Sequence, residues 1–188
     1  MNKKKNHPIT ENRVRPVVID FLYLDLEVCD RCIGTQTSLE AALAEVSGLL
    51  AKEGVEVILR KTQVTSEDQA AALGFLTSPT IRVNGRDIAM EVRESRCLSC
   101  ETCADNGPIT CRVWVFEGKE YTEAPKAMII ESILREVYSG ESREEPSGQL
   151  REVPENIRRF IAGKVSASES PGTTVPKKGS SCCNRSEE

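Results

Sequence analysis

The chain has 188 residues, of which 39% are hydrophobic, and its formal net charge is −4. This size suits one domain plus some additional chain, and an acidic balance without a basic, aromatic-rich stripe argues against binding to nucleic acid. No apolar run is long enough to span a bilayer, and the basic N-terminal stretch is not followed by an apolar segment. We therefore expect a cytoplasmic protein without membrane insertion.

The first half of the chain has the pattern of a strand–helix–strand unit. A polar lead-in over residues 1–16 precedes a strand at 17–24. This strand has apolar residues at both odd and even positions, so we expect both of its faces to be covered. An amphipathic helix then ends near Gly54, and a second strand follows at 55–60. The apolar face of this helix is formed by Leu39, Leu43, Val46 and Leu50. The two strands should pair in parallel through a right-handed crossover.

The second half is predicted from turn and capping residues. A short helix opens at Ser66, where Gln69 completes a capping box, and ends near Gly74. Asn84-Gly85 predicts a hairpin between 81–83 and 86–90. Glu117-Gly118 predicts a second hairpin between 111–116 and 119–121, and a helix begins near Pro125. The apolar face of that last helix is formed by Ile129, Ile130, Ile133, Leu134 and Val137.

The cysteines indicate thiol chemistry. There are eight of them and a single histidine, His7, so a mixed Cys/His zinc site is nearly excluded. Without an export signal, CxxC spacing indicates redox or metal-binding thiols that are kept reduced. Cys29 and Cys32 lie where the first strand gives way to the first helix, and a thiolate at a helix N-terminus is stabilised by the helix dipole and unpaired N–H groups. Arg31 between them favours thiolate, whereas the neighbouring carboxylates oppose it.

A second cysteine group lies in an insertion over residues 91–111. Its members are Cys97, Cys100, Cys103 and Cys111. Short CxxC loops let backbone N–H groups point at sulfur, and a four-thiolate zinc site is the expected occupant. The CxxCxxC run also resembles the ligand run of ferredoxins, which makes a 4Fe-4S cluster the alternative. A third interpretation is a thiolate trap for a soft ion such as arsenite or mercuric ion.

The remaining residues, 139–188, are predicted to be a mostly disordered tail. One short helix is expected near 154–162, with Ile157, Phe160 and Ile161 on one side. The vicinal pair Cys182-Cys183 lies near the end of the sequence, resembles the C-terminal cysteine pairs of mercuric reductases and is a candidate thiol shuttle.

The order strand, CxxC, helix, strand, helix, X-Pro, hairpin, helix resembles the thioredoxin fold. The segments TSPTIRVNGRDI, CLSCETC, CRVW and GKEY are similar to those of a bacterial family of uncharacterised function, the DUF2703 proteins. The resemblance implies an α/β, three-layer domain with a mixed sheet over residues 17–138. It also implies that Pro79 is cis and faces the dithiol, that Cys29 is the more exposed, attacking thiol, and that Cys32 resolves the mixed disulfide.

Two function classes follow from these features. In the first, the protein is a thiol-disulfide oxidoreductase acting through Cys29 and Cys32 on a protein or small-molecule disulfide. In the second, it binds or carries a soft metal ion (arsenite, mercuric or cuprous) with the CxxC pair and the terminal cysteines. We favour the first on sequence, because the resemblance centres on the dithiol.

Overall fold

The computed structural model describes residues 14–101, 108–139 and 152–168. In chain order, the first half consists of β1 (Arg15–Tyr23), α1 (Asp30–Lys52), β2 (Val55–Gln63) and α2 (Glu67–Leu73). The second half consists of β3 (Thr80–Val83), β4 (Arg86–Asp87), β5 (Arg93–Arg96), α3 (Leu98–Glu101), β6 (Thr110–Phe116), β7 (Lys119–Tyr121), α4 (Lys126–Tyr138) and α5 (Glu155–Ser168). In these residues no helix has both the length and the apolar character to cross a membrane.

The main sheet has the order β2-β1-β3-β4. The first two strands are parallel, and β3 and β4 join them antiparallel. This confirms the α/β class with a mixed sheet and the parallel β1–α1–β2 unit. A second sheet has the order β5-β6-β7. The thioredoxin-like architecture remains a prediction.

The two faces of β1 contact two different cores, because successive side chains of a strand point to opposite faces. Phe21 packs with the apolar faces of α1 and α4, whereas Leu22 packs with α2, α5 and the cysteines. The first core includes Leu39, Ala42, Val46 and Leu50 of α1 and Met128, Ile129 and Ile133 of α4. Helices therefore cover both faces of the central strand, as the apolar residues at both parities predict.

The local turn and cap predictions agree with the structure. The Ser66 side chain accepts a hydrogen bond from the Gln69 backbone N–H at the start of α2, and Gly74 ends that helix in a left-handed conformation. Asn84-Gly85 and Glu117-Gly118 form the two hairpin turns, and all four residues have positive φ. Sequence-local signals therefore place most element boundaries.

The predicted strand at 86–90 is shorter in the structure. It ends at Asp87, whose carboxylate accepts a hydrogen bond from the Ala89 N–H at 3.0 Å. This local turn diverts the backbone from the strand direction. The same carboxylate forms a two-bond ion pair with the buried Arg112 of β6, at 2.7 and 2.6 Å, and thus links the two sheets.

The helix expected near 154–162 is longer and packed. It runs from Glu155 to Ser168, and Ile157, Phe160 and Ile161 are buried in the second core. The side chain of Lys164 forms an ion pair with Asp25 in the loop between β1 and α1. Residues 1–13, 140–151 and 169–188 lie outside the described residues. These ranges hold most of the predicted lead-in over 1–16, whose last two residues belong to β1, and the rest of the predicted tail, including Cys182 and Cys183.

Candidate metal-thiolate site

Cys29 is positioned by the start of a long helix. It is the N-cap residue of the 23-residue helix α1, with an extended backbone conformation. The preceding loop is held by Asp25, whose carboxylate accepts hydrogen bonds from the N–H groups of Glu27 and Val28 at 2.6 and 3.1 Å. The thiol therefore lies where the first free N–H groups and the positive end of the helix dipole favour a negative charge.

The insertion supplies three further thiols. Ser95 and Cys111 are directly opposite in the β5–β6 pairing, and Cys97 lies two residues beyond Ser95, so Cys97 and Cys111 share one face of this ladder. A hydrogen bond of 2.9 Å from the Cys97 N–H to the Ile109 carbonyl extends the pairing. Cys100 is turned back onto Cys97 by the single turn of α3, through a bond of 3.2 Å to the Cys97 carbonyl.

Four sulfur atoms come together at this point. The Sγ atoms of Cys29, Cys97, Cys100 and Cys111 all lie within 4.8 Å of one another, and all four residues are buried. Individual Sγ–Sγ distances are 3.9 Å for Cys29–Cys111, 3.4 Å for Cys97–Cys100 and 3.7 Å for Cys100–Cys111. This group is called the thiol cluster below. Four buried thiols at these distances could hold a metal ion.

The thiol cluster joins two groups that the sequence pattern separates. The first cysteine of the dithiol lies with three of the predicted ligands of the insertion. The fourth predicted ligand, Cys103, lies outside the described residues, so its role as a ligand stays a prediction. No signal in the sequence connects residue 29 with residues 97–111. The connection depends on the tertiary packing of β6 beside the Ser78-Pro79 loop, where the Arg112 N–H donates to the Ser78 carbonyl at 2.8 Å.

Cys32 and Pro79 lie beside the thiol cluster. The Ser78–Pro79 peptide bond is cis, as the resemblance implied. The Ser78 hydroxyl lies 3.4 Å from the Cys32 Sγ and also accepts a hydrogen bond of 3.1 Å from the Leu24 N–H. Both thiols of the dithiol are buried, Cys29 with 1% and Cys32 with 0% of its surface exposed. Cys29 is therefore hardly more exposed than Cys32, and its role as the attacking thiol stays a prediction.

Proton sharing concentrates negative charge on two of the four sulfurs. Hydrogen bonding from Cys100 and Cys111 lowers the pKa of the Cys29 thiol far below its ordinary value. Hydrogen bonding from Cys100 also lowers the pKa of Cys97, to about 6. The pKa of Cys111 is raised by its hydrogen bonds to Cys100 and Cys29. Bonding to Cys29 together with burial raises the pKa of Cys32.

These pKa directions describe a site with thiolate character before any ion binds. The pKa directions favour thiolate at Cys29 and Cys97 and the protonated thiol at Cys32. Since only thiolates are good metal ligands, binding of an ion here would require the release of the remaining thiol protons. The arrangement is thus suited to a cation with an affinity for sulfur.

Comparison with known proteins gives a family. No curated protein and no solved structure matches the chain. Residues 17–133 match the family model described as "Domain of unknown function (DUF2703)". The match spans more than half of the 188 residues and includes every thiol of the cluster. The chain therefore belongs to the DUF2703 family.

Proposed function

We propose that the protein binds one metal ion through Cys29, Cys97, Cys100 and Cys111. The single observation that carries this proposal is the convergence of four buried sulfurs within 4.8 Å. Tetrahedral coordination with metal–sulfur bonds of about 2.3 Å requires sulfur–sulfur separations of about 3.8 Å. Three of the six separations, at 3.4, 3.7 and 3.9 Å, lie near that value, and all six are within 4.8 Å.

The same separations favour a single ion over a 4Fe-4S cluster. In such a cluster each thiolate binds a different iron, so the ligand sulfurs are separated by the width of the cluster itself. Four sulfurs within 4.8 Å are closer together than that width. Zinc is the first choice for a closed tetrahedral four-thiolate site, and cuprous or mercuric ion are the soft-metal alternatives.

Cobalt substitution tests this proposal. Co²⁺ added to the metal-free, reduced protein should give the intense sulfur-to-metal charge-transfer absorption and the visible bands of a tetrahedral four-thiolate complex. The signal should saturate at about one ion per chain, since the cluster holds one tetrahedral site. A spectrum typical of octahedral cobalt, or no saturable binding, would remove the basis of the proposal.

Thiol-disulfide exchange at Cys29 and Cys32 is the second candidate function. It is supported by the N-cap position of Cys29, its lowered pKa and the contact between Cys32 and Ser78 beside the cis Pro79. Cys29 would attack a protein or small-molecule disulfide, and Cys32 would resolve the mixed disulfide. The burial of both thiols means that a substrate reaches them only when the site opens.

The two candidate functions compete for one sulfur atom. A Cys29 thiolate that binds a metal ion is not available to attack a disulfide, so the two activities belong to different states of the protein. Metal-free protein should therefore reduce a small aromatic disulfide faster than protein saturated with zinc. Equal rates would mean that Cys29 is not a ligand or that the dithiol does not react.

A metal-carrier function is a more specific version of the first proposal, in which the protein also transfers the ion it binds. A carrier needs a route by which the ion enters and leaves a buried site, and Cys182-Cys183 are the candidate shuttle thiols. Changing both to serine should slow metal loading of the thiol cluster without changing its equilibrium affinity. Loading at the wild-type rate would leave these cysteines without a role in transfer.

A further inference from the structure

The side chain of Arg31, which lies between the two cysteines of the dithiol, reaches across to the insertion. Its Nη1 atom donates to the Ser95 hydroxyl at 3.0 Å and to the Cys111 carbonyl at 3.2 Å. Its Nη2 atom donates to the Arg96 carbonyl at 2.6 Å. We infer that Arg31 is a positioning residue that holds the insertion against α1 and so sets the geometry of the thiol cluster. This inference rests on the proposed metal site.

The contacts of Arg31 are made to the backbone that carries the ligands. Arg96 directly precedes Cys97, and the second carbonyl belongs to Cys111 itself. One guanidinium thus fixes the strand ends of both β5 and β6 relative to the start of α1. A further tie runs from the Asp30 N–H to the Ser99 hydroxyl at 3.4 Å, within the loop that joins Cys97 to Cys100.

The geometry matters because the four ligands come from separate elements. Cys29 belongs to the start of α1, whereas the other three thiols belong to the insertion. A metal ion tolerates only small changes in metal–sulfur distance, so the position of Cys29 relative to the insertion governs affinity. Mutation of a residue that orients the ligands from outside the coordination sphere commonly lowers metal affinity by about 10- to 100-fold.

A purely electrostatic role for Arg31 makes a different prediction. A positive charge near Cys29 would favour thiolate whichever residue supplied it, and lysine would serve as well as arginine. The observed contacts instead use the two-pronged guanidinium, with separate nitrogens on separate carbonyl groups. Lysine cannot reproduce that planar fork. Arg31→Lys keeps the positive charge but loses the two separate donor groups, so this variant distinguishes a positioning role from an electrostatic one.

The test compares three variants of the full chain. Arg31→Gln and Arg31→Lys remove the fork, and Arg82→Gln is the matched control. Arg82 also donates to two backbone carbonyls, those of Leu73 and Gly74 at 2.7 and 2.9 Å, in another part of the fold. Zinc affinity is measured by competition with a chromophoric chelator, and the cobalt spectrum of each variant reports ligand geometry.

We expect both Arg31 variants to lose zinc affinity by about 10- to 100-fold and to show a weakened, shifted cobalt charge-transfer band. Arg82→Gln should keep the wild-type affinity and spectrum. Wild-type behaviour of Arg31→Gln would overturn the inference while leaving the metal site intact. Full recovery in Arg31→Lys, or an equal loss in Arg82→Gln, would also overturn it, because charge or general stability would then explain the effect.

A measurement without metal keeps the inference separate from the proposed function. The background carries Cys32→Ser and also Cys100→Ser, because Cys100 lies 3.7 Å from Cys111 and would compete for it. Mild oxidation of this metal-free protein should link Cys29 to Cys111, whose sulfurs are 3.9 Å apart. Adding Arg31→Gln should lower the yield of this disulfide several-fold, as read by peptide mass mapping. An unchanged yield would contradict the positioning role. If the wild-type chain binds no metal, the metal proposal fails, and this yield alone decides the role of Arg31.

Discussion

Cys29 is the residue that the two proposed functions share. It is the N-cap of α1, the first thiol of the dithiol and a member of the thiol cluster. Its pKa is lowered by hydrogen bonds from neighbouring thiols, and those from Cys100 and Cys111 have the largest effect. A thiolate in such a position serves equally as a nucleophile and as a ligand, and what occupies the cluster decides between these roles.

Cys97 provides a pH signature of the metal-free cluster. Because the pKa of Cys97 is lowered to about 6, its thiolate should persist well below the pH at which an ordinary cysteine is protonated. We predict a step near pH 6 in the ultraviolet thiolate absorbance of the reduced, metal-free protein. Zinc affinity should fall as the pH drops through this step, because protons then compete with the ion.

The Cys97→Ser variant should lose this absorbance step. Cys32→Ser is the control, since the raised pKa of Cys32 keeps its thiol protonated over the same range. A step near pH 6 that survives in Cys97→Ser would show that another group carries the charge.

At the scale of elements, α5 is part of the folded structure. Ile157 is fully buried beside Phe160 and Ile161, so its truncation leaves a cavity. We predict that Ile157→Ala lowers the free energy of unfolding by about 2–5 kcal/mol, measured by urea denaturation of the reduced protein. The control is Arg159→Ala, which removes only an exposed ion pair with Glu155 and should cost below about 1 kcal/mol. Equal stability of Ile157→Ala and the wild type would mean that α5 does not pack on the domain in solution.

The ion pair between Lys164 of α5 and Asp25 makes the docking of this helix dependent on pH. Burial raises the pKa of Asp25, but hydrogen bonds from Lys164 and from the Glu27 and Val28 N–H groups outweigh it, so the pKa is lowered overall. A carboxyl group with a lower pKa in the folded state stabilises the fold above its unfolded pKa of about 3.9, and this contribution is lost as the pH falls through the folded value.

Asp25→Asn should therefore be less stable than the wild type at pH 7, and the difference should shrink as the pH approaches 3. Denaturation at a series of pH values measures it. Lys126→Met is the control, because its ion pair with Glu45 is exposed and should give little change at any pH. A stability difference for Asp25→Asn that is constant from pH 7 to pH 3 would contradict the assignment.

Local signals in the sequence predict much of the fold but not its long-range contacts. Ser66, Gly74 and the Asn84-Gly85 turn act through their own neighbours in the chain, and their elements lie where expected. The early end of β4 depends on Asp87. Its carboxylate accepts hydrogen bonds both from the nearby Ala89 N–H and from the distant Arg112, and the sequence does not indicate the second partner. The sequence predicts the apolar face of α5, but it does not predict which part of the domain this face packs against.

At the scale of the whole molecule, the fold converts two separate cysteine motifs into one site. Cys29 meets Cys111 because the β5–β6 insertion returns to the Ser78-Pro79 loop at the end of the sheet where α1 begins. Each motif alone indicates thiol chemistry, and only tertiary packing brings four of their sulfurs close enough to hold a metal ion. Sequence reasoning therefore grouped three of the four cluster thiols by type and spacing, and it placed the fourth, Cys29, in a separate pair with Cys32.

The metal content of two matched variants tests this account most directly. Cys29→Ser and Cys32→Ser change the two cysteines of the same dithiol, but only Cys29 belongs to the thiol cluster. After purification without oxygen and reconstitution with zinc, native mass spectrometry should find about one ion per chain in the wild type and in Cys32→Ser. Cys29→Ser should have lost most of its zinc. Full zinc occupancy in Cys29→Ser would contradict the central claim that the dithiol and the insertion form one metal site.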